Sequence, residues 1–293
     1  MLDGIDWEDL ESREGTSYLK DSDTPYTGKT YQLHPNGEKK WEKNWKDGKP
    51  EGLDITWYQS GQKWREWNFK NHKPEGKWTY WDENGLKQSE ANYKNGKQHG
   101  INSSWYENGQ KFLESNWKNG KQEGLDTTWY QNGQKWIEWN FKNGQKNGLF
   151  VVWHENGKKK EEGSYKDDKP EGLWSDWDEN GKKKEEGSYK NGKKEGLWTM
   201  WYENGKKKEE INWQDDKKEG LWTMWHENGK KKEETNWQDD KIISLKEWNS
   251  KGKLDKELKP PGDKGRLWKF WNFLTSTSIF LKPISHKKKP PHP

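Results

Sequence analysis

The chemistry this sequence offers most plainly is a carboxylate and an ammonium that each recur nine times at one interval. Glutamate stands at Glu42, Glu66, Glu90, Glu114, Glu138, Glu162, Glu186, Glu210 and Glu234, and lysine at Lys39, Lys63, Lys87, Lys111, Lys135, Lys159, Lys183, Lys207 and Lys231. Acid and base side chains serve proton transfer when one of them has an environment unlike its neighbours. Nine equivalent copies describe a structural or solvating device instead. Strand alternation puts residues three apart on opposite faces, so the two ladders are expected not to bridge each other. The histidines (His34, His72, His99, His154, His226, His286, His292) fall at five phases of the array or its tail, none with metal-ligand spacing. The chain has no cysteine, which excludes disulfides and thiol chemistry. No nucleophile elbow, phosphate loop, zinc helix or dinucleotide fingerprint is present. The protein is read as non-enzymatic, with neither metal nor cofactor.

Aromatic rings offer a second kind of chemistry. A tryptophan recurs at Trp57, Trp81, Trp105, Trp129, Trp153, Trp177, Trp201 and Trp225, with Leu33 in the equivalent place of the first copy. Regularly spaced indoles form either a core stripe or an exposed platform for sugars, choline-like cations, lipid headgroups or a partner's backbone. Both readings stay open, and these eight residues are the candidate partner-binding stripe.

The element that must position these residues is set by glycine, which returns every 24 residues from Gly28 to Gly220 and again nine residues later, from Gly37 to Gly229. A fixed period in this range means repeats that cannot bury an apolar face alone. The second glycine follows Asn in most copies (Asn84-Gly85, Asn108-Gly109, Asn132-Gly133), the signature of a type I′ hairpin turn. Another turn follows at Asp47-Gly48, Asn95-Gly96 and Asn119-Gly120, drifting to Asp167-Asp168 and Asp215-Asp216. Two turns per unit leave two strands of roughly ten residues each. The expected fold is all-β: an elongated, single-layer antiparallel meander of about nine hairpin repeats, roughly 18 strands and on the order of 85 Å long. A two-residue loop at Asn156-Gly157 pairs Gly148 with Tyr165, which suggests that each first glycine leaves a hole filled by the opposite ring. It also puts Leu149 and Trp153 on one face with Glu162 and Ser164, and Tyr165, Trp174 and Trp198 on the other.

Composition alone would mislead, because 26% hydrophobic and 35% charged residues border on the disordered class. Aromatics at 15%, in fixed register, argue against disorder. Charge divides the chain: residues 1–27 carry −6, residues 251–293 carry +8, and the array between keeps +2. A balanced array does not suit phosphate neutralisation, so no nucleic acid is expected as partner. Four segments follow: 1–27, an acidic cap in which Trp7, Leu10, Tyr18 and Leu19 pack on the first hairpin; 28–243, nine repeats; 244–258, a degenerate repeat or cap in which Ser244 replaces the glycine; and 259–293, a Pro/Lys-rich tail. The tail's apolar run, Leu267–Leu281, is shorter than the roughly 20 residues that span a bilayer. Trp268, Phe270, Trp271, Phe273, Lys287, Lys288 and Lys289 are candidates for peripheral membrane contact within 266–289. No signal peptide is read at the N-terminus, so a cytoplasmic location is expected.

The unit W-Y-E-N-G-K-K-K-E-E-x-N-Y-K-N-G-K-x-E-G-L-W closely resembles the MORN-repeat variant of bacterial proteins grouped as YwqK-type antitoxin components of toxin–antitoxin systems. The resemblance covers residues 28–243. It implies a module that binds proteins or phospholipids, with a toxin as one candidate partner. The alternatives are an aromatic ligand-binding array and a membrane-associated module using the tail.

Overall fold

The computed structural model describes residues 3–259. They form one open 24-stranded sheet and a separate two-stranded hairpin, with no α-helix among the described residues. From Gly28–Leu33 to Leu254–Leu258, strands adjacent in sequence pair antiparallel, so the sheet is the expected meander. At the N-terminal edge Ile5–Asp6 runs parallel to Gly28–Leu33, with Ile5 opposite Thr30. Trp7 lies against Trp41 and Trp45 at centroid distances of 5.3 and 5.9 Å. The small hairpin of Leu10–Arg13 and Thr16–Leu19 is tied to the first repeat by Ser17 N–H donating to the Gly48 carbonyl. Leu10 is buried there, whereas Leu19 is exposed.

The type I′ geometry expected of the first turn of each unit belongs instead to the second. After Trp153, the Gly157 N–H donates to the His154 carbonyl and the His154 N–H to that of Lys158. Gly157 has φ +80°, while Asn156 is not among the positive-φ residues. This is a type I turn closed by a glycine bulge, a three-residue loop rather than type I′. The type I′ turns are the other set: Asn143 and Gly144 have φ +53° and +86°, and Asp167 and Asp168 have +50° and +65°. Asn and Asp tolerate this region, so the glycine there is dispensable.

The longer loop changes the register locally. Trp153 faces Lys159, but Val152 faces Glu161, so one extra residue is absorbed just after the lysine. Beyond that bulge the expected pairing of Gly148 with Tyr165 holds. The inserted residue also turns lysine onto the face of the glutamate three positions on. The two ladders therefore do bridge, contrary to simple alternation. Lys39 Nζ lies 2.6 Å from Glu42 and Lys87 Nζ 2.8 Å from Glu90. The same pair recurs in every unit through Lys231–Glu234.

The 24-residue glycine also has a different job from the one expected. All nine, from Gly28 to Gly220, have positive φ. Those after Gly28 sit in a second bulge: Trp139 faces Phe150 but Phe141 faces Lys146, so three residues around Gly148 oppose Asn140 alone. A Cβ built on Gly172, Gly196 or Gly220 would meet nothing within 4 Å. The opposite ring therefore fills no hole there, and left-handed backbone is what demands glycine. Where Ser244 takes its place the bulge shrinks to one residue, Asn236 facing Ser244 and Trp237 facing Ile242. Gly196→Ala, with open space but φ +71°, is expected to cost about 1–2 kcal/mol. Equilibrium urea unfolding measures it, and an unchanged midpoint would show that backbone strain is not the constraint.

A single layer has no interior, so burial comes from long side chains lying over short ones on both faces. One face carries the Lys–Glu ladders and the Trp57-to-Trp225 series, the ladder face. Its small residues Thr127, Val151 and Thr199 are buried at 3–8% exposure. The other, the ring face, stacks aromatics across repeats: Trp67 on Trp78 at 4.3 Å, Trp139 on Phe150 at 4.1 Å, and Tyr189 on Trp198 at 5.1 Å. Lysine ammoniums cover these rings, Lys146 lying 3.4 Å from the Trp139 centroid and Lys194 3.8 Å from that of Trp198. Their aliphatic stems extend the apolar cover. Aromatic area and cation–π contact thus replace the aliphatic core that the composition lacks.

Candidate interaction faces

On the ladder face, Trp57, Trp81, Trp105, Trp129, Trp153, Trp177, Trp201 and Trp225 are all half-buried. They occupy alternate strands, roughly 10 Å apart, beyond the reach of ring stacking. The lysine of each ladder fills the interval. Lys111 faces Trp105 across its own hairpin and holds its Nζ 5.5 Å from the ring of Trp129 in the next unit. Lys39 over Trp57, Lys63 over Trp81, Lys87 over Trp105, Lys135 over Trp153 and Lys183 over Trp201 repeat the contact at 5.4–5.8 Å. The stripe is therefore Trp–Lys–Trp–Lys, each lysine also held by its glutamate. The ion pairs lower the carboxyl of Glu186 from the usual range through Lys183, and those of Glu42 and Glu90 through their lysines against the opposing effect of burial.

The residue after six of these eight tryptophans staples neighbouring units, a role the sequence did not reveal. Tyr106 Oη donates to the Trp129 carbonyl at 2.7 Å and Tyr130 Oη to that of Trp153 at 2.8 Å. His34 and His154 place Nε2 3.0 Å from the Trp57 and Trp177 carbonyls, and His226 reaches Trp248 at 2.9 Å. A carbonyl accepts only from a ring N–H, which fixes the tautomer. These histidines do the work of a tyrosine hydroxyl, and their shared phase with Tyr58, Tyr106, Tyr130 and Tyr202 was the available signal. Asp82 and Asp178, at the same phase, instead accept N–H groups of their own turn.

The ring face holds an acidic group that the sequence reading left unremarked. Asp176 faces Glu161 on one neighbouring strand and Glu185 on the other. Burial, reinforced by these two carboxylates, raises its pKa to about 7. Asp126, buried with only Gln122 as a side-chain donor, is raised to about 6. No group of three or more His, Cys, Asp or Glu with metal-binding geometry occurs among the described residues. The membrane candidates Trp268, Phe270, Trp271, Phe273 and Lys287–Lys289 lie outside the described residues. Among the described residues no helix is long and apolar enough to cross a membrane.

An open sheet of stapled hairpins, each touching only its neighbours, is a linear repeat scaffold. The MORN repeat variant family model matches residues 74–95, 98–119, 122–143, 146–167, 170–191, 194–215 and 218–239, more than half the chain, and the protein belongs to that family. No curated protein sequence matches it. Solved structures with some likeness include "Crystal Structure of TcdB2-TccC3", 10% identical over 82% of this chain and 15% of that one, with a TM-score of 0.19. "Crystal Structure of TcdB2-TccC3-Cdc42" is also 10% identical, over 85% and 16%, with a TM-score of 0.18. This chain thus spans less than a fifth of the length of either.

Proposed function

We propose that this protein is a non-enzymatic scaffold that binds another protein along its sheet. The observation carrying this reading is the uninterrupted single-layer sheet, whose ladder face presents the same Trp, Lys and Glu positions repeat after repeat. Extended repetitive faces suit extended partners. The aromatic ligand-array reading is weaker, because the chain's own lysines already lie over rings of the tryptophan stripe. A toxin as the partner rests on the resemblance of the repeat unit to antitoxin-type proteins.

The test is crosslinking of the full-length protein in its native cells, followed by hydrogen exchange on the purified complex. Protection across at least three consecutive repeats within 28–243 is the expected result. A partner whose footprint falls wholly outside those residues would refute the scaffold role of the array, and a toxic protein neutralised on co-expression would establish the narrower reading.

A further inference from the structure

Each type I′ turn is flanked by two directly opposed residues whose side chains project on the ladder face. Nine such pairs run along this rim from Lys46–Lys49 to Gln238–Lys241. Six are lysine against lysine, three are lysine against glutamine, and none contains an acid. All eighteen residues are exposed. Like charges directly opposed across a ladder are destabilising, yet the arrangement recurs in six of the nine hairpins. Of these eighteen only Lys193 has an ion-pair partner among the described residues, Asp215 at 3.4 Å. Acids approach the row in places: Glu75 and Glu123 accept the Asn95 and Asn143 turn amides at 2.8 Å, and four turns carry aspartate, at Asp47, Asp167–Asp168, Asp215–Asp216 and Asp239–Asp240, so the excess of positive charge is concentrated between Lys70 and Lys142.

The row lies close against the neighbouring turns. A Cβ built on Gly96 would lie 3.5 Å from the Cβ of Lys73, and one on Gly120 3.7 Å from that of Lys97. The stems of Lys73, Lys97, Lys121 and Lys169 therefore run alongside the turn of the next unit. Next to the lysines on the same face is a second row, the residue after the 24-residue glycine, apolar in every unit but the first and third, which carry Lys29 and Lys77. Leu53, Ile101, Leu125, Leu149, Leu173, Leu197 and Leu221 are 44–61% exposed, and Leu149 faces Ser164, two positions from Lys166. Between Lys70 and Leu149 basic and apolar rows thus run side by side across the strands.

Resting on the scaffold reading, we infer that this Lys/Leu track is the docking surface, and that its occupant is an extended acidic polypeptide segment carrying apolar side chains at intervals. Charge complementarity selects an anionic chain. The leucines favour a polypeptide over a bare phosphate chain, which has nothing to place on them. Sheet twist, roughly 20° per strand, winds the track around the long axis, so a flat bilayer touches only a short arc of it. Spacing also agrees: apolar residues on alternate strands recur at about 10 Å, the length of about three residues of extended chain.

Fluorescence anisotropy on the full-length protein tests this with a labelled peptide of repeated Glu-Glu-Leu, poly-glutamate of the same length, oligothymidylate, and phosphatidylserine vesicles. The Glu-Glu-Leu peptide is expected to bind roughly tenfold more tightly than poly-glutamate, and more weakly as salt rises. Combining K70Q, K73Q, K94Q and K97Q removes like-charge pairs and should leave the fold at least as stable, while lowering affinity for both peptides roughly tenfold. Combining L125S and L149S should weaken only the Glu-Glu-Leu peptide. No peptide binding at low salt, or oligothymidylate or vesicles bound as tightly as the peptide, would overturn the inference. So would a native partner whose footprint and affinity ignore the lysine substitutions, a result that leaves the scaffold reading standing.

Discussion

Gly187→Ala is expected to destabilise the array by about 3 kcal/mol, more than Gly196→Ala. Gly187 is not strained, since its φ lies outside the left-handed region, but a Cβ there would lie 2.0 Å from Cδ2 of Trp198. That indole is 3% exposed and anchored by its Nε1–H, which donates to the Ser188 carbonyl at 3.1 Å. Lys194 and Tyr189 close on its ring from other directions. The ring therefore has nowhere to retreat, and a methyl group forces it to give up packing and hydrogen bond together. Because each repeat contacts only its neighbours, the loss should be local. Hydrogen exchange should quicken in Lys183–Lys190 and Lys193–Trp201 before distant strands. Adding Trp198→Leu to Gly187→Ala should recover part of the loss, because the smaller side chain leaves room for the methyl. If the double variant is worse by the sum of the two single effects, steric conflict is not the cause.

The same pair shows what could be read in the sequence. The period gave the meander, and the hairpin arithmetic gave the pairing of Gly148 with Tyr165. The idea that a ring fills the hole left by a glycine was sound physics at the wrong glycine. It applies to Gly163 and Gly187, which lie outside the 24-residue series and sit beneath Trp174 and Trp198. The signal was correlated variation between units: where this position is glycine, the facing position of the next unit is tryptophan. Elsewhere Trp67 meets Trp78, and Lys43 faces Asp54 at 3.8 Å. Lysine orientation was not legible, because it depends on two compensating bulges that leave the long-range register unchanged. Glycine repeats fix how many residues a turn has, not which of them carry positive φ. The paired lysines beside the type I′ turns were in plain view, but net charge averaged over the array hid them.

Asp176→Asn is expected to stabilise the protein at pH 8 and to have little effect near pH 4. An aspartate ordinarily titrates near 3.8, and in the folded sheet Asp176 is raised to about 7 by burial and by Glu161 and Glu185, only partly offset by Lys184 and Lys160. Between those two values the folded protein holds a proton that the unfolded chain has released. Stability contributed by this group therefore falls as pH rises from about 4 and levels off above about 7. The penalty at pH 8, discounted for partial exposure, is about 2 kcal/mol. Asparagine keeps the shape without the charge and should remove it. Carboxyls lowered by lysine, such as Glu186, have the opposite sign: their contribution is present above the ordinary glutamate value and is lost as pH falls through the lowered one. The difference between variant and parent cancels them. Urea midpoints of both proteins from pH 4 to 8 check the prediction, and parallel curves across that range would mean that Asp176 remains ionised in the folded sheet.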